Sequence, residues 1–336
     1  MATTTRLLQV NNLTTELKTP HGAVRLLDHV TFGINAGETF GLVGESGSGK
    51  SMTCRSILRI LQPPVSTTEG EVLYDGQDIL KMPEKEVRKL RGKGISMIFQ
   101  DPMTSLNPVL TIEQQLMEVL AFEVPAAERR QRAIELLRHV GIPSPEERLK
   151  EFPHQFSGGM RQRAMIAIAL ARNPRLLLAD EPTTALDVTI QDQVLELLYH
   201  LQQENGMSMI LVSHDLGVIS QVCDRIAVMY AGEVVEVATK AALFGQPMHP
   251  YTLGLMSSMP DLQKSGEWLK PISGMPPSLA NLPRGCRFHP RCPFAIDACR
   301  REPIPMAEVG PDRFSRCIRS ADLAGVREFP EGVNVL

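Results

Sequence analysis

Eight consecutive residues carry the clearest chemistry of the sequence: Gly44-Glu-Ser-Gly-Ser-Gly-Lys50-Ser51, a full G-x-x-x-x-G-K-[ST] pattern. Glycines at this spacing let a loop wrap a phosphate chain with its backbone N–H groups turned inward. A helix that starts directly after the loop points its positive end at the same anion. Lys50 is placed to reach the β- and γ-phosphates and Ser51 to ligate Mg²⁺. The candidate contacts are therefore Gly44, Ser46, Gly47, Gly49, Lys50 and Ser51. A plain Gly/Ser-rich surface turn is the bland alternative. The apolar run before the loop and the amphipathic pattern after it argue against that.

Three further strand ends carry candidate partners. Leu176-Leu-Leu-Ala-Asp180-Glu181 is an apolar run closed by two carboxylates. Asp180 suits Mg²⁺ held through water, and Glu181 suits the activation of an attacking water. Adjacent acids at a strand end cost stability unless a cation or ligand uses them. Leu211-Val-Ser-His214-Asp215 offers His214 as a bond to the γ-phosphate, although a lone histidine after a strand is more often structural. Gln100 follows Ile98-Phe99 and, as a ligand, would sense Mg²⁺ or water. Finally, Phe156-Ser157-Gly158-Gly159-Met160 opens a helical run, and Ser-Gly-Gly at a helix start is a second anion cradle. One phosphate loop holds one triphosphate, so the second cradle raises the question of whose nucleotide it meets.

The elements that must position these residues follow from apolar periodicity. Leu7–Val10, Val30–Ile34, Thr39–Val43, Leu176–Ala179 and Met209–Val212 read as strands. Cys54, Ile57, Leu58 and Leu61 share one helix face, with Pro63-Pro64 as the stop. Residues 112–150 read as helical with Ile134, Leu137 and Val140 on one face, and helices are expected over Arg161–Arg172 and Ile190–Gln203. Ile226–Met229 and Glu233–Val237 form a hairpin around Tyr-Ala-Gly. Strands alternating with helices predict an α/β sheet with its ligands at the strand C-termini. No internal repeat is visible.

Composition sets the outer bounds. The 336 residues predict roughly two domains and a core that needs no disulfide staples. A hydrophobic share of 43% and a net charge of −3 exclude a wholly disordered chain and predict no strong nucleic-acid or membrane field. No apolar stretch approaches the roughly 18 residues of a membrane span, and the start MATTTRLLQVNN lacks a signal-peptide core. The expectation is a soluble, cytoplasmic chain.

The six cysteines are unevenly placed. Cys54 and Cys223 stand among apolar residues on expected helices and read as core. The other four follow Cys286-x5-Cys292-x6-Cys299-x17-Cys317, in a region where eight of the 25 prolines lie between Pro271 and Pro305. That region reads as a loop-rich appendage in need of a staple. The spacing matches neither the C-x2-C pairs of structural zinc sites nor the tight ferredoxin run, so iron–sulfur, zinc and unligated thiols all stay open. Between Arg284 and Arg319 eight arginines face four acids, a surplus that would offset the negative charge of a thiolate cluster. A polyanion patch is the weaker reading, since no aromatic ladder accompanies it.

Taken in order, these residues resemble the nucleotide-binding subunits of ABC transporters. Walker A is 44–51, the Q-loop glutamine is Gln100, the signature is 157–159, Walker B is 176–180 followed by Glu181, Ala-Leu-Asp187 is the D-loop and His214 the switch histidine, over about residues 5–255. Gln-Asp-Pro-Met-Thr-Ser-Leu-Asn-Pro from Gln100 and the late cysteines are similar to the oligopeptide/dipeptide importer subunits. The resemblance implies a P-loop NTPase ABC cassette: a mixed sheet core, an antiparallel β subdomain and a helical subdomain, with a small irregular Cys-rich C-terminal region. It places the cassette at 1–255, its helical subdomain at about 101–175 and the extension at 256–336.

The implied activity is ATP hydrolysis with Mg²⁺ that drives peptide import, with Glu181 and His214 catalytic and Ser51 and Gln100 at the metal. The implied partners are a second, related ATPase subunit bound head to tail, two membrane permeases and an external substrate-binding protein, with no nucleic acid. Each signature loop would cover the other subunit's ATP. The chain would sit peripherally on the cytoplasmic face of a bacterial inner membrane. The resemblance also implies a [4Fe–4S] cluster on Cys286, Cys292, Cys299 and Cys317, with zinc as the alternative. Two positions depart from the family pattern: the stretch where an aromatic normally stacks on adenine has Leu17, with apolar contact or His21 as the open alternatives and no stacking residue assigned, and Met160 replaces the last glutamine of the signature. A non-transport ABC ATPase of repair, translation or cluster assembly is the competing function. The roughly 100 residues between Walker A and the signature leave little room for the long coiled coil of the repair type.

Overall fold

In the computed structural model, which describes residues 6–184, 186–259, 272–323, 325–326 and 329–330, each of the short apolar runs lies in a strand. The strands are β1 (Arg6–Thr19), β2 (Gly22–Asn35), β3 (Thr39–Val43), β4 (Val65–Tyr74), β5 (Gln77–Asp78), β6 (Ile95–Ile98), β7 (Leu176–Asp180), β8 (Ser208–Ser213), β9 (Arg225–Tyr230), β10 (Glu233–Thr239), β11 (Ala307–Gly310) and β12 (Arg313–Ser315). The chain divides into two compact units, one of Met1–Lys81 with Ser213–Leu336 and one of Met82–Val212.

The first unit holds an antiparallel sheet in the order β2-β1-β4-β5 and a mixed run β11-β12-β10-β9-β3. β1 and β2 are long paired strands whose register shifts where Asn12 and His29 adopt positive φ, so the ribbon bulges and bends. β3 is buried along its whole length and pairs in parallel with β9. A continuous apolar run is what a strand covered on both faces requires. β9 and β10 form the expected hairpin, turned by Ala231 and Gly232, both at positive φ as a tight two-residue turn demands. The helix after the phosphate loop spans Lys50–Ile57 and stops short of Leu61, because Arg59 turns left-handed.

In the second unit β6 and β8 flank β7, all in parallel. The segment read as helical over 112–150 resolves into Ile112–Leu120, Arg129–His139 and Pro145–Arg148. A capping box between Thr111 and Gln114 starts the first of these. Ile134, Leu137 and Val140 are buried as their spacing predicts. Longer helices run over Gly158–Leu170 and Val188–Asn205. Among the described residues no helix is long and apolar enough to cross a membrane.

The proline-rich stretch carries only short 3-10 turns among its described residues, at His289–Arg291 and Asp297–Arg300. It is more than an irregular appendage, however. β12 continues the mixed run by pairing with β10 (Glu236 opposite Ser315, Val237 opposite Phe314). The outer edge of β10 would otherwise present unpaired backbone groups. Phe288 packs at 5.3 Å against both Tyr230 of the hairpin and Tyr251 of the helix Pro250–Ser257, so this region buries Phe288 on those elements rather than building a core alone.

Candidate functional site

Within the first unit, the loop after β3 folds back on itself. Gly44 has φ 157°, and a Cβ there would lie 2.1 Å from the Met229 carbonyl oxygen, so the close approach of the loop to β9 admits only glycine. Gly49 caps the following helix at φ 108°. Ser46 and Gly47 form the exposed crest. Ser48 N–H donates to Glu45 O at 3.2 Å, and Gly232 N–H donates to Ser48 O at 2.9 Å, tying the loop to the β9–β10 turn. Lys50 is buried, and its Nζ donates to the carbonyls of Gly44 (2.7 Å) and Glu45 (3.1 Å). The ammonium thus lies inside its own loop. Ser48 Oγ is buried without a hydrogen-bond partner, a polar atom that a phosphate oxygen would satisfy. Ser51 occupies the first turn of the helix. His214 is exposed just past β8, beside Asp215, which caps Leu216–Val222 by accepting from Gly217 N–H at 2.7 Å.

Within the second unit, Asp180 ends β7 fully buried and Glu181 follows it at φ 45°. A non-glycine residue in the left-handed region costs about 1 kcal/mol or more, and such strain collects at working sites. Glu181 N–H donates to Val212 O at 3.1 Å. Glu181 Oε2 accepts from Gln100 Nε2 at 2.9 Å and from Thr184 Oγ1 at 2.9 Å. The structure therefore brings together Gln100 and Glu181, two residues 81 apart whose pairing the sequence pattern did not state. Ser157 caps Gly158–Leu170, its Oγ accepting from Met160 N–H at 3.3 Å. Gly158 faces Leu186, and a Cβ on Gly159 would lie 3.1 Å from Ile190, so the second cradle is packed beside the segment that leads into Val188–Asn205. Asp187 caps that helix through Ile190 N–H at 3.0 Å, while Ala185 lies outside the described residues.

Sequence reasoning missed what stands behind the phosphate loop. The Glu45 carboxylate receives a two-pronged bond from Arg291, at 2.7 Å (Nη1 to Oε2) and 2.9 Å (Nη2 to Oε1), and Glu45 N–H donates to Tyr251 Oη at 2.8 Å. Burial alone would lower the Arg291 pKa, but Glu45 and Tyr230 together outweigh it and hold the guanidinium charged. Arg287 pairs with Asp28, donates to Ala231 O and lies 3.4 Å from Glu233. Burial favours the neutral Asp28 acid, yet Arg287 and the bond to His29 keep its pKa below the ordinary carboxylate value. No periodicity or motif links positions 246 and 259 residues apart.

Cys286, Cys292, Cys299 and Cys317 line one small cavity together with His249, Phe288 and His289. Burial pushes the thiols up, to about 11 for Cys286 and about 12 for Cys292 and Cys317, reinforced by their neighbouring thiols. Among the described residues no group of three or more His, Cys, Asp or Glu side chains is disposed to hold a metal ion. Cys54 and Cys223 are core residues, as expected. Leu17 lies opposite Val24 on the β1–β2 ribbon.

Comparison with known proteins shows what the chain is similar to. The family model "ABC transporter" matches residues 27–184, and "Oligopeptide/dipeptide transporter, C-terminal region" matches residues 235–299. The oligopeptide transport ATP-binding protein OppD of Bacillus subtilis is 49% identical over 318 residues, covering 94% of this chain and 89% of the relative. The dipeptide transport ATP-binding protein DppD of the same organism is 50% identical over 299 residues, covering 88% of this chain and 89% of that one. Among solved structures, a dimeric post-hydrolysis state of the ATP-binding cassette MJ0796 bound to ADP and Pi matches with a TM-score of 0.63 and 32% identity, covering 69% of this chain and 98% of that cassette.

Proposed function

This chain belongs to the ABC transporter family as an ATP-binding subunit of the oligopeptide/dipeptide importer kind, and from that premise we propose that it hydrolyses ATP to energise import of short peptides or related small solutes. The observation that carries the peptide reading is the joint match, in one chain, of the cassette and of the C-terminal region seen in peptide transporters. Residues 1–255 act as the cassette and 256–336 as its extension.

Each residue then has a chemical role. In the first unit Gly44, Ser46, Gly47 and Gly49 shape a cradle of N–H donors, and Lys50 carries the charge that meets the β- and γ-phosphates. His214 bonds the γ-phosphate. In the second unit Glu181 accepts a proton from the attacking water. The bonds from Gln100 and Thr184 aim its carboxylate. Ser51 in the first unit, and Gln100 and Asp180 in the second, each carry the kind of oxygen donor that Mg²⁺ prefers, and the ion when bound would supply charge neutralisation at the phosphates. Ser157, Gly158 and Gly159 serve the nucleotide of a second ATPase subunit, which is why one chain carries two cradles. The dimeric cassette among the similar structures supports that arrangement.

The partners follow from this reading: a related ATPase subunit, two permeases and an external substrate-binding protein, which together hold the chain at the inner face of a bacterial membrane. The competing repair-type reading needs a long coiled coil before the signature. The longest helix described between Ser51 and Ser157 is Arg129–His139, of 11 residues. A [4Fe–4S] cluster, with zinc as alternative, draws support from the four cysteines that share one cavity. Their arrangement does not form a ligand set, and no step is assigned to a metal there.

The test is purification of the tagged full chain from its own host under membrane-solubilising conditions. The expected result is an ATPase complex with two hydrophobic permeases. A tight complex without any membrane protein would overturn the transport reading.

A further inference from the structure

We propose that Arg291, from the segment between Cys286 and Cys292, is a positioning residue for the phosphate loop: it anchors Glu45 and cancels its charge, so that the loop can accept a triphosphate. The inference rests on the nucleotide reading of Gly44–Ser51 and adds a residue that no motif in the loop contains.

Four observations carry it. Glu45 is the first variable position of the phosphate loop, directly after Gly44 and five residues before Lys50. Its carboxylate is gripped by both Nη atoms of Arg291, a fork geometry that fixes direction as well as distance. Arg291 is itself locked: Nε donates to Ser273 O at 3.0 Å, Nη2 to Ile272 O at 3.3 Å and Nη1 to Tyr230 Oη at 3.2 Å, and only 6% of its side chain is exposed. The Glu45 backbone is held from the same side by Tyr251 Oη, whose ring packs on Tyr230 at 4.6 Å. The loop is therefore braced from outside by groups that touch Glu45 and leave the crest residues Ser46 and Gly47 exposed.

The charge argument sets the direction of the effect. A carboxylate within a loop that binds a polyanion opposes binding unless it is paired. Arg291 pairs it. Removing Arg291 leaves a negative charge and a freed loop. Removing the Glu45 charge leaves the arginine in place beside an anion site. The two partners of one ion pair should thus have opposite effects on nucleotide affinity, whereas a staple that served the fold alone would give the same effect from either side.

The experiment measures ADP·Mg²⁺ binding to the full chain by calorimetry, with thermal melting alongside, for the parent, Arg291→Ala, Arg291→Lys, Glu45→Gln and the pair Glu45→Gln with Arg291→Ala. Arg291→Ala is expected to weaken binding about five- to thirty-fold, within the usual range of coupling between two sites. Arg291→Lys, which keeps charge without the fork, should fall between it and the parent. Glu45→Gln should bind at least as tightly as the parent, and in the pair it should recover most of the loss. In steady-state hydrolysis Arg291→Ala should raise KM for ATP with kcat changed less than about threefold. Equal affinities for the parent and Arg291→Ala, with a lower melting temperature for the variant, would overturn the proposal, as would equal weakening by Glu45→Gln. If Arg291→Ala fails to fold, the Arg291→Lys and Glu45→Gln contrast decides by the same signs. Failure of the parent to bind any nucleotide would instead refute the reading of the loop itself.

Discussion

Replacing Glu181 by Gln separates chemistry from folding at one atom. The carboxylate oxygen Oε2 accepts from Gln100 Nε2 and Thr184 Oγ1, both at 2.9 Å. An amide oxygen accepts from the same two donors, so the pairing survives and only its charge assistance is lost. Hydrogen bonds to a charged group contribute about 1.5–3 kcal/mol and neutral ones about 0.5–1.5 kcal/mol. Gln100 is exposed and Glu181 half-buried, so solvent screens the difference to the lower end, about 1–2 kcal/mol over both bonds. The backbone strain at φ 45° is common to Glu and Gln and cancels. At roughly 2–4 °C per kcal/mol for a protein of this size, the melting temperature should fall by no more than several degrees. Loss of a general base costs about 10²–10⁴ in rate, or about 2.7–5.4 kcal/mol of barrier at 1.36 kcal/mol per decade. Hydrolysis measured by phosphate release should collapse, while ATP binding, measured directly on the variant, should stay within a few-fold of the parent. Turnover within tenfold of the parent would remove Glu181 from the role of base. Loss of binding together with turnover would show that the substitution had disturbed the fold and that the local geometry was misjudged.

Other substitutions probe the remaining parts. Lys50→Ala removes a charge-assisted bond to phosphate of about 1.5–3 kcal/mol, so nucleotide affinity should drop roughly 10- to 150-fold in a direct binding assay. Gly44→Ala sets a Cβ 2.1 Å from Met229 O and should abolish nucleotide binding while lowering the melting temperature; an unchanged binding curve would contradict the described loop. His249 is buried with a pKa lowered to about 3, chiefly by burial and then by Arg316, and its Nδ1 accepts from Tyr251 N–H at 3.1 Å as the cap of Pro250–Ser257. The folded state therefore favours the neutral ring. Its contribution is complete above the unfolded value near 6.5 and is lost as pH falls toward 3, by up to about 1.4 kcal/mol per pH unit. His249→Asn keeps a capping acceptor without that titration. Denaturant midpoints at pH 6.5 and 5.5 should show the parent losing about 1 kcal/mol more than the variant, with the buried Glu236 titrating alike in both.

Much of the nucleotide chemistry was legible because it is local. A phosphate loop needs its glycines, lysine and serine consecutively, and a strand buried on both faces needs an unbroken apolar run, so β3, β7 and β8 and the residues at their ends could be read directly. The helix after the loop was overextended because apolar spacing continues to Leu61, whereas the backbone turns left-handed at Arg59, a choice that side-chain pattern does not encode. The pairing of Gln100 with Glu181 and of Arg291 with Glu45 was invisible for a different reason. Each is a single polar contact between distant segments, made possible by topology and leaving no period in the sequence.

The arginine surplus shows how such contacts change an inference. Read along the chain, eight arginines against four acids looked like counter-charge for a cluster of thiolates. In the fold four of those arginines answer carboxylates from outside their own segment: Arg287 meets Asp28 and Glu233, Arg291 meets Glu45, Arg313 meets Glu236 and Arg316 meets Glu233. Those acids lie on β2, the loop after β3 and β10, so the surplus fastens the C-terminal region to two strands and to that loop. Arg287, Arg291 and Arg313 are thus engaged by carboxylates, whereas Arg316 lines the cysteine cavity together with Arg319, where burial favours neutral thiols. A metal there must then be established on its own terms, by iron content and absorbance near the 400 nm region (a rough expectation for iron–thiolate centres), because half of the surplus is engaged in ion pairs with carboxylates outside its segment. What the arginines do support is mechanical: a perturbation of the segment between Cys286 and Cys292 has a two-residue path, through Arg291 and Glu45, to the loop proposed to hold phosphate.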